Sequence, residues 1–212
     1  MRDLSLFTLT TVVAVGLVMM SFGAAAAQQK ANPVVMMKTS SGDIAVELYP
    51  DKAPETVQNF LWYVDNKFYD GLIFHRVMSN FMIQGGGFTK DMVRKETKPT
   101  IKNEADNGLS NLRGTIAMAR TGDPHSASSQ FYINVKDNQP LDFKSKATPA
   151  GWGYCVFGKV ISGMDAVDKI RQVPVTTKNG YENVPVEPVV IQKAYKMAPD
   201  EIQALKAKSK SP

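Results

Sequence analysis

The stretch Phe74-His75-Arg76-Val77-Met78, with Phe81-Met82-Ile83-Gln84 shortly after it and Gly85-Gly86-Gly87-Phe88 closing it, places one arginine, several large apolar side chains and one amide donor along an expected hairpin. Strand side chains alternate between faces, so Phe74, Arg76 and Met78 are expected on one face, and Met82 and Gln84 alternate with Phe81 and Ile83 on the next strand. A guanidinium is permanently charged and carries only donors. Beside an apolar floor and a neutral amide it suits a small, uncharged, partly apolar substrate. By the same alternation His75 takes the face opposite Arg76 and reads as a hydrogen-bonded core histidine rather than a base.

Other chemistries are poorly served. Asp123, His125 and Ser126 lie close together, but a serine hydrolase would want a G-x-S-x-G elbow or an equivalent geometry. The run Gly85 to Lys90 fails the spacing of a phosphate-binding loop. Two histidines and one cysteine with no pattern joining them argue against a zinc site, and no cofactor is expected. Glu104 and Asp106 fall on an expected loop and read as solvated rather than as a glycosidase pair.

The elements that must position Arg76 and Gln84 read as follows. Two strands flank Ser40-Ser41-Gly42-Asp43, with Ile44, Val46 and Leu48 alternating as in a half-buried antiparallel pair. Pro54 suits a first helical turn, and Val57, Phe60, Leu61, Val64 and Phe68 then mark one face of a helix. Met164, Val167 and Ile170, spaced by three, mark a second. Short strands are expected near 72–77, 81–85, 114–119, 130–134, 154–160 and 189–197. Two helices among about eight strands, with no alternating strand–helix rhythm, argue for an antiparallel barrel over a doubly wound sheet.

Two further blocks accompany the first: Gly114-Thr115-Ile116-Ala117-Met118-Ala119-Arg120 with Ser129-Gln130-Phe131-Tyr132-Ile133-Asn134, and Val156-Phe157-Gly158-Lys159-Val160. In this order, over residues 34–197, the three blocks resemble the cyclophilins, peptidyl-prolyl cis/trans isomerases. The segment Lys102 to Leu109 resembles the family's bacterial exported branch. The resemblance implies a mainly β fold, a closed eight-stranded antiparallel barrel capped by two α-helices. A side-chain-filled interior then leaves the outer face for the substrate groove.

Matched position by position, the family pattern implies Arg76 and Gln84 as the catalytic pair. Arg76 would donate to the prolyl nitrogen, and Gln84 would bond a substrate carbonyl. Phe81, Met82, Tyr132 and Leu141 would enclose the proline ring. The Ala119-Arg120 backbone would pair with the extended peptide, Gln130 would orient Arg76, and Tyr154 would lie on the groove rim. Three departures stand out: Arg120 where many members have asparagine, Tyr154 where many have histidine, and Pro140 at the place of a loop tryptophan or phenylalanine. Tyr132 replaces a commoner phenylalanine, a change expected to matter little. The implied partners are proline-containing unfolded or partly folded polypeptides; the competing reading is a chaperone or peptide-binding module with incidental catalysis.

The ends of the chain bear on location. Arg2, an apolar stretch from Leu6 to Met20, and Ser21-Phe22-Gly23 before four alanines have the layout of a signal peptide cleaved after Ala27. The apolar stretch is shorter than the roughly 20 residues of a membrane span. Export to the periplasm is therefore expected, with no stable membrane anchor after cleavage. Residues 28–33 then form a short linker, and 198–212 a basic, solvated tail in which 201–206 can make a short helix. The formal charge of +5 shows no basic stripe interleaved with aromatics, so nucleic acid is not an expected partner; a monomer is. The single cysteine, Cys155, cannot form an intramolecular disulfide and reads as a small buried hydrophobe.

Overall fold

The computed structural model describes residues 31–208. The signal-peptide expectation falls outside them. Strands β1 (Val34–Thr39) and β2 (Gly42–Leu48) form the opening hairpin, with Val35 opposite Val46 and Met37 opposite Ile44. Ile44, Val46 and Leu48 are fully buried, as their alternation requires.

Helix α1 (Pro54–Asp65) starts with proline at its first turn and buries Val57, Phe60 and Val64, together with Tyr63, which the spacing did not single out. Its N-cap residue, Ala53, offers no side-chain oxygen. Glu104 reaches the helix from a distant loop instead: its carboxylate accepts from the backbone N–H groups of Glu55 and Thr56 at 3.2 and 2.8 Å and from the Thr56 hydroxyl at 2.7 Å. A carboxylate there satisfies orphan donors and complements the positive end of the helix dipole. Glu104 is thus a helix cap and not a solvated loop residue. Asp106, on the same loop, pairs with Lys146 at 2.6 Å.

Strands β3 (Leu72–Met78), β4 (Met82–Thr89), β5 (Thr115–Met118), β6 (Phe131–Asn134), β7 (Val156–Ser162) and β10 (Ile191–Lys196) complete one antiparallel sheet. Its order is β10-β1-β2-β7-β5-β6-β4-β3. The two edge strands approach each other where Phe74 N–H donates to Val189 O and Gly71 N–H to Ile191 O, at 2.9 and 2.8 Å, making a nearly closed barrel. Its interior holds Phe60, Tyr69, Phe74, Phe131 and Phe157, packed edge-on or tilted at centroid separations such as 5.6 Å for Phe60–Phe131 and 5.4 Å for Tyr69–Phe131. A filled interior leaves the outside of the barrel for a site. The second helix, α2 (Met164–Ile170), packs Val167 and Ile170 into the same core.

Two elements differ from the sequence expectation. Strands β8 (Val175–Lys178) and β9 (Tyr181–Pro185) form a separate hairpin. Its turn is Asn179-Gly180, both at positive φ (51° and 80°), the conformation that an Asn-Gly pair favours in a two-residue hairpin loop. The Asn-Gly signal was present in the sequence, but β8 is exposed at every position, so no apolar alternation accompanied it.

The tail, expected to be solvated, docks instead: the short helix expected within 201–206 is α3 (Pro199–Lys208). Its Ile202 and Leu205, spaced by three, are half-buried against Val34, Met36 and Ala45 on the outer surface of the sheet. Burial of those two side chains is the reason that the segment docks.

Candidate active site

Hairpin β3–β4 delivers the central residues, but not by simple alternation. The register passes from Phe74 opposite Gly85 to Arg76 opposite Gln84, so two residues of β3 span one step of β4. This bulge breaks the face pattern. Phe74 enters the core, and His75 and Arg76 both line the outer cleft. The expected grouping of Phe74 with Arg76, and the expected opposition of His75 to Arg76, are therefore both corrected. His75 is buried and stacks on Phe88 at 4.6 Å, but its Nδ1 has no hydrogen-bond partner. Burial, with the neighbouring Arg76 charge acting in the same direction, lowers its pKa to about 4, so the ring is neutral at neutral pH.

Strands β4, β5 and β6 place the rest. Gln84 lies opposite Tyr132, and Tyr132 opposite Ala117, which aligns Met82, Gln84 and Tyr132 on one outer surface. Phe81 comes from the β3–β4 turn, Ala119 and Arg120 follow β5, and Leu141 ends a single 3₁₀ turn (Gln139–Leu141). Arg76, Phe81, Met82, Gln84, Ala119, Arg120, Tyr132, Leu141 and Tyr154 together enclose a cavity of about 90 Å³. Every site residue expected from the sequence lines this pocket except Gln130. A larger open cleft of about 540 Å³ adjoins it along Arg76, Gln84, Ala119 and Arg120, and Gln130 lies there. The far wall of that cleft, Gly180 to Asn183 of the β8–β9 hairpin, was not foreseen.

Polar groups around the pocket are chained. Arg76 Nη1 donates to Gln84 Oε1 at 3.4 Å, and Gln84 Nε2 donates to Gln130 Oε1 at 2.9 Å. Gln130 thus holds Gln84, and through it Arg76, rather than bonding the guanidinium directly. The Tyr132 hydroxyl is not idle: it donates to Asn111 Oδ1 at 2.7 Å, inside a buried network that includes Asn134 and Asp142. Its pKa is raised well above 10, chiefly by burial, so it remains protonated. Cys155 is buried behind the pocket with its thiol pushed up to about 12 by desolvation, in keeping with a packing role. Among the described residues no cluster of three or more histidine, cysteine or carboxylate side chains is placed to hold a metal ion.

The family model for cyclophilin-type peptidyl-prolyl cis-trans isomerases matches residues 34–196. The chain belongs to the cyclophilin family. It is 59% identical over 160 residues to a peptidyl-prolyl cis-trans isomerase of Streptomyces antibioticus, spanning 76% of this chain and 96% of that one. It is 54% identical over 159 residues to peptidyl-prolyl cis-trans isomerase B of Escherichia coli, spanning 75% and 96%. Two crystal structures of a Cryptosporidium parvum cyclophilin-type isomerase, one in the presence of the dipeptide Ala-Pro, superpose with TM-scores of 0.64 and 0.65. They cover 78% and 79% of this chain and 99% and 98% of theirs, at 23% and 24% identity, and bear on the fold alone.

This cyclophilin is accordingly a peptidyl-prolyl cis/trans isomerase, and proline-containing peptides are its substrates. Of the three positions that the resemblance marks as departures, Pro140 is exposed in the 3₁₀ turn and does not line the small pocket, although Leu141 beside it does. The other two, Arg120 and Tyr154, touch each other: the Arg120 guanidinium carbon stands 4.5 Å above the Tyr154 ring centroid.

Proposed function

We propose that this cyclophilin acts on proline-bearing stretches of unfolded or partly folded exported polypeptides in the periplasm, as a monomer, with Arg76 as the donor that accelerates bond rotation. The observation that carries the catalytic assignment is the small pocket in which Arg76 meets apolar side chains from five separate chain segments.

The reaction is rotation about an amide whose partial double-bond character sets a barrier of about 18–20 kcal/mol. It needs no covalent intermediate and no proton transfer to a leaving group. A donor aimed at the prolyl nitrogen favours the pyramidal, single-bonded nitrogen of the twisted state over the planar amide. Of the five N–H donors of Arg76, one serves Gln84, and the others are available to the groove. A donor effective only in the twisted state is worth about 2.7–4 kcal/mol, or about 10²–10³ in rate.

Phe81, Met82, Tyr132 and Leu141 hold the ring while the carbonyl side turns. Gln84 spends one amide hydrogen on Gln130 and keeps the second for a substrate carbonyl. The Ala119 N–H is committed to Gln130 O at 3.0 Å, so strand-like pairing with the client falls to the Ala119 carbonyl and the Arg120 N–H.

The export reading rests on the layout of residues 1–27. The test is an isomerisation assay on proline peptides with the chain beginning at Gln28, together with fractionation, N-terminal sequencing and light scattering of the cell-derived protein. Turnover by a periplasmic monomer starting near Gln28 is expected. A cytoplasmic protein that keeps Met1, or peptide binding without turnover, overturns the proposal.

A further inference from the structure

Arg120 has an unusual set of commitments for a side chain at a binding groove. Its Nε donates to Gly153 O at 2.9 Å, Nη1 to Thr121 O at 2.9 Å and Nη2 to Pro149 O at 3.1 Å, while its face lies on Tyr154. Three carbonyls from two different segments therefore surround one planar fork, an arrangement that a guanidinium can satisfy and an ammonium cannot. Segment 142–153 has neither helix nor strand to hold it in place. Its end is pinned where Gly153 takes a left-handed φ of +59°, and a Cβ there would lie 2.5 Å from the Asp142 carbonyl carbon. The next residue, Tyr154, donates its backbone N–H to Leu141 O at 2.9 Å and faces Tyr132 edge-on at 6.0 Å. Leu141, Tyr132 and Tyr154 are three walls of the small pocket.

From this geometry, and resting on the assignment of that pocket to the proline ring, we infer that Arg120 and Tyr154 act as one positioning unit. Three of the five N–H groups go to loop carbonyls and the guanidinium face to the Tyr154 ring, so in this reading the side chain holds segment 142–153 and the pocket wall in place rather than binding the client. The two residues are thus one unit in physical terms: an arginine that has a ring to lie on, and a ring whose plane the arginine fixes.

The experiment is a double-mutant cycle read in KM and kcat separately, on proline peptides carrying glutamate, alanine or lysine beside the scissile-free X-Pro unit, with melting temperature recorded for each variant. Arg120→Ala should raise KM by about tenfold, as expected when a positioned wall moves, and leave kcat within about twofold. The increase should be the same for all three peptides. Tyr154→Ala should behave alike, and the double variant should be no worse than the poorer single one. Tyr154→Phe keeps the ring face that the arginine lies on and should raise KM much less than Tyr154→Ala.

Arg120→Lys is the second variant, in case truncation prevents folding. It should raise KM nearly as much as Arg120→Ala, and recovery of the wild-type KM by lysine overturns the inference. So do additive losses, an unchanged KM, a fall in kcat alone, or a KM increase confined to the glutamate peptide, which marks direct contact with the client. An inactive wild type would instead refute the catalytic assignment of the pocket, which keeps the two failures apart.

Discussion

Gln84 is clamped by Gln130: its Nε2 donates to Gln130 Oε1 at 2.9 Å, which turns its own Oε1 toward Arg76. The arginine is therefore oriented at second hand, by a glutamine from the loop before β6 acting through a glutamine on β4. Arg76→Ala should lower kcat/KM by about 10²–10³, since it removes a donor that acts in the twisted state. Melting temperature should scarcely move, because the side chain is half-exposed and its one side-chain hydrogen bond, to Gln84, is 3.4 Å long. Arg76→Lys should recover little of the activity. Gln130→Ala should cost less than Arg76→Ala, about tenfold, because it loosens the fork without removing it. Peptide isomerisation followed alongside thermal melts measures all three; more than half of wild-type activity in Arg76→Ala would remove the mechanism.

Activity should be flat between about pH 6 and 9, because no side chain in the groove with a resolved pKa shift titrates in that interval. His75 is held neutral down to a pKa of about 4, and Tyr132 is pushed well above 10. Thiol reagents should leave the enzyme active, since Cys155 is 3% exposed with a pKa of about 12. Chelators should have no effect. A bell-shaped kcat/KM profile, or inactivation by EDTA, would point to acid–base or metal chemistry instead.

Stability, unlike activity, should depend on pH below neutrality. His75 has a folded pKa of about 4 against an ordinary value of 6.5, so the unfolded chain binds more protons in that window. Stability therefore rises with pH from about 4 to 6.5 and falls as the solution is acidified through the same range. With 1.36 kcal/mol per pKa unit, the loss on going from pH 7 to 4.5 is about 2–3 kcal/mol. Urea titrations at both values for the wild type and for His75→Gln measure it. Equal acid sensitivity in the two proteins would show that the ring is not the cause.

Cyclosporin should bind weakly. The resemblance implies a hydrogen bond to it from a loop tryptophan in many family members, and would place Pro140, exposed and without an N–H, at that position here. The loss of one good donor and its packing costs about 1–3 kcal/mol, or about tenfold to over a hundredfold in affinity. Turnover of proline peptides should stay high, because Arg76, Gln84 and the ring pocket do not involve Pro140. Calorimetric titration of the drug decides the matter, and nanomolar affinity would mean that another residue supplies the donor.

Much of this protein is local and was legible as such. The alternation of Ile44, Val46 and Leu48 and the spacing of Val57, Phe60 and Val64 report how each segment meets the core, and the core did form on those faces. The residues of the pocket were legible because their types recur in a known order along the chain. What depended on barrel closure could not be read in this way. The Glu104 cap on a helix nearly fifty residues away, the Tyr132–Asn111 bond and the stacking of Arg120 on Tyr154 all join segments distant in sequence, and the bulge that turns His75 and Arg76 to the same side, though within one hairpin, is an irregularity that alternation does not encode. Periodicity encodes which face of a strand or helix is buried, whereas a polar side chain takes whichever partner the closed barrel brings within about 3 Å, and that is decided only when the strands are in register.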